Sequence, residues 1–124
     1  MSNLRILLVD DMSSMRGVIK MFLADSDYLN IVEASDGIKA LKILEAEKID
    51  FIISDWDMPN MTGLELLVAV REHEKLKELP FLMLTATHNL EKVQSAIDAG
   101  VTDYIAKPFQ PQTLMDKLHK CLAK

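Results

Sequence analysis

Hydrophobic positions along this chain change period repeatedly, from unbroken runs to helical spacing and back. Ile6-Leu7-Leu8-Val9 is a continuous apolar run that stops at Asp10-Asp11, after which Met15, Val18, Ile19, Phe22 and Leu23 recur at helical spacing. Asn30 to Ala34 is a short second strand candidate carrying Ile31 and Val32. Asp36 is placed to cap the next helix, with Ala40, Leu41 and Leu44 on its inner face. Asp36-Gly37 also suits a hairpin turn, but the residues after it follow helical spacing rather than strict alternation. Phe51-Ile52-Ile53 predicts a third strand ending at Ser54-Asp55, and beyond a loop with Pro59, Thr62-x-x-Glu65 is a capping-box pattern opening a helix to about His73. Phe81-Leu82-Met83-Leu84 predicts a fourth strand ending at Thr85; Leu90, Val93 and Ile97 mark a fourth helix, which Gly100 terminates. Tyr104-Ile105-Ala106 is a short fifth strand ending at Lys107-Pro108. Pro111 suits the first turn of a last helix, with Leu114, Leu118, Cys121 and Leu122 facing inward.

Strict alternation of strand and helix implies an α/β fold, a parallel sheet with helices on both faces. The first, third and fourth strands are solidly apolar, as strands buried on two faces must be, and the weaker second and fifth suit the edges. The expected architecture is a doubly wound, flavodoxin-like (βα)5 sheet of five strands in the order 2-1-3-4-5, an order carried over from sheets of that type. With 124 residues and no internal repeat or Gly/Ser linker, the chain reads as one domain, 1–124, with no separate output domain.

Composition narrows the function. A formal charge of −5 argues against a broad nucleic-acid surface, since phosphates call for a basic patch. Lys75 and Lys77 alternate with Glu72, Glu74 and Glu78 and read as a solvated mixed-charge face. No apolar run approaches the ~20 residues that cross a bilayer, so no membrane association is expected. The single cysteine, Cys121, has no internal partner for a disulfide and its spacing places it in the core; a reducing cytoplasm is the expected location. His73, His88 and His119 lack a metal-like spacing and read as surface or loop residues. Met12, Met58 and Met61 are flexible filler around the loops. A monomer is the default, because each predicted helix has an ordinary core face and polar outer face.

The polar residues at the strand ends carry the chemistry. The first strand delivers Asp10 and Asp11, the third Asp55, the fourth Thr85 and the fifth Lys107. In a sheet of this kind ligands bind beyond the carboxyl ends, near the switch between the first and third strands. Three carboxylates gathered there repel one another, and one lysine does not neutralise them. A small dication does, and oxygen ligands on a shallow rim favour Mg²⁺ over zinc or calcium. The site therefore suits phosphoryl chemistry. Asp55, already ionised, attacks phosphorus to form an aspartyl phosphate, with Thr85 and Lys107 hydrogen-bonding or neutralising the phosphoryl oxygens. Singly, each residue has a plainer role: helix cap for Asp10 or Asp11, β-branched strand residue for Thr85, surface charge for Lys107. Their convergence on one rim is what favours the functional reading.

Leu8-Val9-Asp10-Asp11, Ser54-Asp55-Trp56-Asp57-Met58-Pro59, Leu84-Thr85-Ala86 and Tyr104-Ile105-Ala106-Lys107-Pro108-Phe109 resemble, in order, the signatures of two-component response-regulator receivers. Residues 50–56, with Met58-Pro59-Asn60-Met61 and Gly63-Leu64-Glu65-Leu66-Leu67, are most similar to the chemotaxis members of that family. The resemblance implies that Asp55 takes its phosphoryl group from the phosphohistidine of a sensor histidine kinase. It implies that Asp11 and Asp55 bind Mg²⁺ directly, that Asp57 contributes its main-chain carbonyl, and that Asp10 acts largely through water. It further implies that Thr85 moves toward the phosphoryl group, that Tyr104 swings inward behind it, that Val93, Ile97, Tyr104 and Lys117 lie on the partner-contacting face, and that Lys107-Pro108 is cis. A flagellar motor switch protein is the leading partner it suggests, with a histidine phosphotransfer protein as the alternative if the chain is a phosphorelay intermediate.

Two positions depart from the chemotaxis pattern: Asp57 stands where enterobacterial members carry Asn, and Thr87 where they carry an acid. Both influence hydrolysis in receivers, so neither a phosphoryl lifetime nor an auxiliary phosphatase carries over. Two other classes compete. Asp55-Trp56-Asp57 fits the D-x-D of haloacid-dehalogenase-type phosphatases, but it follows an Asp-Asp motif, leads into Met58-Pro59 and leaves no room for a cap domain. A flavin carrier shares the architecture, but Asp10-Asp11 repels an uncompensated phosphate.

Overall fold

The computed structural model describes residues 3–86 and 90–123. Five strands and five helices alternate: β1 (Ile6–Val9), α1 (Ser13–Ala24), β2 (Ile31–Ala34), α2 (Gly37–Ala46), β3 (Phe51–Asp55), α3 (Gly63–Glu72), β4 (Phe81–Thr85), α4 (Leu90–Asp98), β5 (Asp103–Ala106) and α5 (Pro111–Leu122). All strand pairs are parallel, in the order β2-β1-β3-β4-β5.

The unbroken apolar runs are explained by the two cores they serve. Alternate side chains point to opposite faces of a strand. Ile6, Leu8, Phe51, Ile53, Leu82 and Leu84 pack beneath α1 and α5. Leu7, Val9, Ile52, Phe81 and Met83 pack against α2, α3 and α4. Every residue of β1, β3 and β4 is buried, whereas β2 and β5 are mostly half-buried, as edge strands are.

The predicted caps form. Asp36 accepts a hydrogen bond from Lys39 N at 2.8 Å and starts α2, which excludes the hairpin turn. Thr62 Oγ1 accepts from Glu65 N, and Glu65 Oε1 accepts from Thr62 N, closing the capping box of α3. Gly100 ends α4 with φ +92, in the left-handed region.

Two side chains expected among the inward-facing helical residues are exposed. Val18 is exposed on α1, and Ile19 and Leu23 carry the burial. Leu122 lies at the exposed margin of α5, where Leu114, Met115, Leu118 and Cys121 are buried. On α4, among the residues whose burial is described, Ala96 is buried and Ile97 is 51% exposed. At Val18 and Leu122 an adjacent residue about 100° round the helix, Ile19 or Cys121, occupies the core position. Thr87 and His88 lie outside the described residues.

Candidate functional site

The carboxyl ends of β1, β3, β4 and β5 converge as the spacing predicts. Asp10 follows β1 directly and is fully buried, Asp55 is the last residue of β3, Thr85 the buried last residue of β4, and Lys107 the first residue beyond β5. Carboxylate oxygens of Asp10, Asp11 and Asp55 lie within 4.8 Å of one another, with Asp11 exposed at the mouth. Lys107 Nζ donates to Asp55 Oδ1 at 2.7 Å and stands 3.9 Å from Asp10 Oδ2. Its main chain is fixed as well, since Lys107 N donates to Thr85 O at 2.8 Å. The Lys107-Pro108 peptide is cis.

Local hydrogen bonds hold the acidic loop. Asp10 N donates to Ala34 O of β2 at 3.1 Å, and Asp10 Oδ1 accepts from Met12 N at 2.9 Å. The far side of Asp55 is set by close packing. A Cβ on Gly63 would meet Asp55 O at 2.2 Å and the Trp56 Cα at 3.0 Å, so only glycine lets α3 start this near the end of β3. Gly63 N donates to Trp56 O at 2.8 Å, and Trp56 N to Leu84 O at 2.9 Å.

Electrostatically the cluster is incomplete. Burial raises the Asp55 carboxyl above the ordinary carboxylate range, against the Lys107 hydrogen bond that lowers it. Burial also raises Asp10, opposed by the Met12 N–H and reinforced by the neighbouring Asp55 charge. Asp10 Oδ2 is buried and accepts no hydrogen bond. Three oxygen donors, one ammonium and a buried carboxylate oxygen lacking a donor fit a hard dication such as Mg²⁺.

The remaining expected residues are distributed as follows. The Asp57 side chain is exposed and is not among the clustered carboxylates. Tyr104 lies half-buried in β5, with Lys117 Nζ 5.8 Å from its ring centroid. Lys117 also pairs with Asp103 Oδ1 at 3.2 Å. Val93 is half-buried and Ile97 exposed on α4. His73 and His119 lie apart from the cluster: His73 Nδ1 accepts from Lys75 N, and His119 Nε2 lies 3.1 Å from the Tyr28 hydroxyl. Met58 is buried, Met61 packs against the core and Met12 is exposed beside the acidic loop. Two residues near the rim have no sequence signal of their own, Arg16 and Glu33, which pair with each other at 2.9 Å.

Comparison with known proteins gives the family and the fold. The family model for the response regulator receiver domain matches residues 6–119. The chain is 47% identical over 117 residues to the chemotaxis protein CheY of Pseudomonas aeruginosa, covering 94% of each. It is 47% identical over 118 residues to chemotaxis protein CheY-3 of Vibrio cholerae, covering 95% of this chain and 91% of that protein. In three dimensions it is similar to the chemotaxis response regulator CheY4 of Vibrio cholerae, with TM-score 0.89 and 38% identity over 97% of this chain and 99% of that one. The receiver domain of a sensor histidine kinase from Pseudomonas aeruginosa, solved with a magnesium ion in its active site cleft, superposes with TM-score 0.89 at 28% identity, over 99% of this chain and 100% of that one.

Proposed function

This chain belongs to the response regulator receiver domain family, and from that premise we propose that it is a phosphorylation-activated switch in which Asp55 is the phosphoacceptor. The observation that carries the reading is the cluster of Asp10, Asp11 and Asp55 carboxylates within 4.8 Å, with Lys107 Nζ 2.7 Å from Asp55. Proteins of this kind are signalling proteins rather than classical enzymes.

Asp11 and Asp55, with the main-chain carbonyl of Asp57, would hold Mg²⁺, and Asp10 would act on it through water. When bound, Mg²⁺ screens the carboxylates from one another and neutralises charge on the phosphoryl oxygens. The protein's own groups do the rest. One Asp55 carboxylate oxygen attacks the phosphorus of a phosphohistidine on a sensor kinase; the new O–P bond forms as the P–N bond breaks, and the electron pair leaves with the imidazole nitrogen. Lys107 exchanges its contact with the Asp55 carboxylate for one with a phosphoryl oxygen, and the Thr85 hydroxyl bonds another. Lys107 N bonds Thr85 O, so the two residues are tied through the backbone as well as through the site. From them the change passes to Tyr104 and the surface of Val93, Ile97 and Lys117. The similarity to chemotaxis proteins supports a chemotaxis kinase as donor, a flagellar motor switch protein as target, and the cytoplasm as location.

Trp56, 7% exposed and next to Asp55, reports the site. Its fluorescence is expected to change on adding Mg²⁺ and again on adding acetyl phosphate, with one labile phosphoryl group by mass spectrometry. Asp55→Asn should fold and take none. Normal labelling of that variant would remove Asp55 as the acceptor, and silence of the wild-type protein to both additions would remove the chemistry altogether.

A further inference from the structure

We infer that Arg16 is a positioning residue for the acidic loop, an assignment that rests on reading the rim as a Mg²⁺ site and extends it to a side chain outside the carboxylate cluster. The Asp10–Asp11 peptide leaves the sheet where the ladder ends. Asp10 N still reaches β2, through Ala34 O at 3.1 Å, but the Asp10 carbonyl lies beyond the last residue of β1. Arg16, one turn into α1, supplies its donor: Nη1 donates to Asp10 O at 2.5 Å. The same guanidinium is aimed from the other side, because Nε donates to Glu33 Oε1 of β2 at 2.9 Å, and Lys20 holds the other Glu33 oxygen at 3.0 Å. Arg16 is largely buried, its side chain 16% exposed, so this planar fork spans β1 and β2 behind the site. The peptide it grips joins the two acidic residues, and its orientation decides where the Asp11 carboxylate starts. Groups that orient metal ligands from behind typically change metal affinity by about 10–100-fold when removed.

A purely electrostatic role predicts the opposite sign. Arg16 is a cation near a cation site, and deleting it alone should strengthen Mg²⁺ binding. Positioning predicts weaker binding despite the lost positive charge. Arg16→Lys separates the two more cleanly still, since it keeps the charge and loses the fork.

The test is a Mg²⁺ titration of the intact chain read by Trp56 fluorescence, repeated as the Mg²⁺ dependence of acetyl phosphate labelling. Arg16→Ala should raise the Mg²⁺ midpoint by about tenfold, with Arg16→Lys also clearly raised. A midpoint that is unchanged or lower in Arg16→Ala overturns the inference. If Arg16→Ala fails to fold, Arg16→Lys decides, and a wild-type midpoint in it is equally fatal. Arg71→Ala, which breaks contacts at the opposite end of the sheet, controls for general loosening: it should lower stability and leave the Mg²⁺ midpoint in place. Should it move the midpoint as far as Arg16→Ala does, the effect is not positional. A wild-type protein that gives no Mg²⁺ response at all fails at the earlier step, the rim as a cation site, and takes this inference with it.

Discussion

Asp10 shows how much of this site is arranged for a charge the chain does not itself supply. Burial raises its carboxyl above the ordinary aspartate value of 3.8, the Met12 N–H opposes that, and the Asp55 charge adds to it. The folded state therefore holds the Asp10 proton more tightly than the unfolded state does. That contribution is complete below the unfolded value and is lost as pH rises through the folded one, so near neutrality without a dication Asp10 destabilises the fold. Asp10→Asn keeps an oxygen to accept from Met12 N and removes the charge. We expect it to stabilise the protein near pH 7 in chelator, because the variant has no charge to bury. The gain should shrink toward zero near about pH 4. Urea unfolding at both pH values checks this, and a variant no more stable than wild type near neutrality refutes it. The acidic residues and Lys107 were legible in the sequence because each interrupts an apolar run at its end. Arg16 and Glu33 were not, because an ion pair between a helix and an edge strand has no spacing of its own and looks like two solvated charges until the fold brings them together.

Helices and strands were legible wherever local chemistry and burial agree. The capping box of α3 and the cap of α2 follow from short-range hydrogen bonding, and β1, β3 and β4 from burial on two faces. What periodicity left open was which of two adjacent apolar residues faces inward, as at Val18 and Ile19 or Ala96 and Ile97. That is decided by the angle at which a helix lies on the sheet, a tertiary property. Two glycines test the element scale from opposite directions. Gly17 is exposed in the interior of α1, with nothing within 4 Å of an added Cβ. Gly17→Ala should stabilise by about 0.5–1 kcal/mol through the unfolded chain's entropy. Gly63 opens α3 against the Asp55 carbonyl, where an added Cβ would sit at 2.2 Å. Gly63→Ala must push β3 and α3 apart, and a loss of at least about 1–3 kcal/mol is expected. Chemical denaturation of the two variants should move the midpoints in opposite directions; a stabilised Gly63→Ala would show that α3 is not seated as described.

At the scale of the whole molecule the two ends of the sheet are built on different terms. At the carboxyl end, like charges are crowded and partly unsatisfied. At the other end, Arg71 of α3 donates to Gly100 O at 2.8 Å, Lys77 O at 3.1 Å and Leu79 O at 2.6 Å, and lies 3.4 Å from Thr102 Oγ1. It ties the segment after α3 to the segment between α4 and β5. The edge strands were legible because polar strands belong at the edges, and the order itself came with the sheet type, but this clamp was not: an arginine near a helix C-terminus reads as an ordinary favourable charge, and its partners are mostly carbonyls that any residue carries. If the ends are independent, ligand linkage and scaffold stability must add. A dication bound only by the folded state contributes RT ln(1 + [L]/Kd), about 2.7 kcal/mol at one hundred times Kd. Arg71→Ala, losing four hydrogen bonds that are part-buried or exposed, should cost about 1–3 kcal/mol, yet gain the same increment from saturating Mg²⁺ as the wild type. Asp55→Asn should gain much less, having lost a ligand but none of the clamp. Urea midpoints with and without Mg²⁺ for the three proteins decide it. Equal increments in wild type and Arg71→Ala mean that the rim is tuned without reference to the base. A reduced increment in Arg71→Ala means that the clamp reaches the site through β4 and β5, and the separation argued here would have to be abandoned.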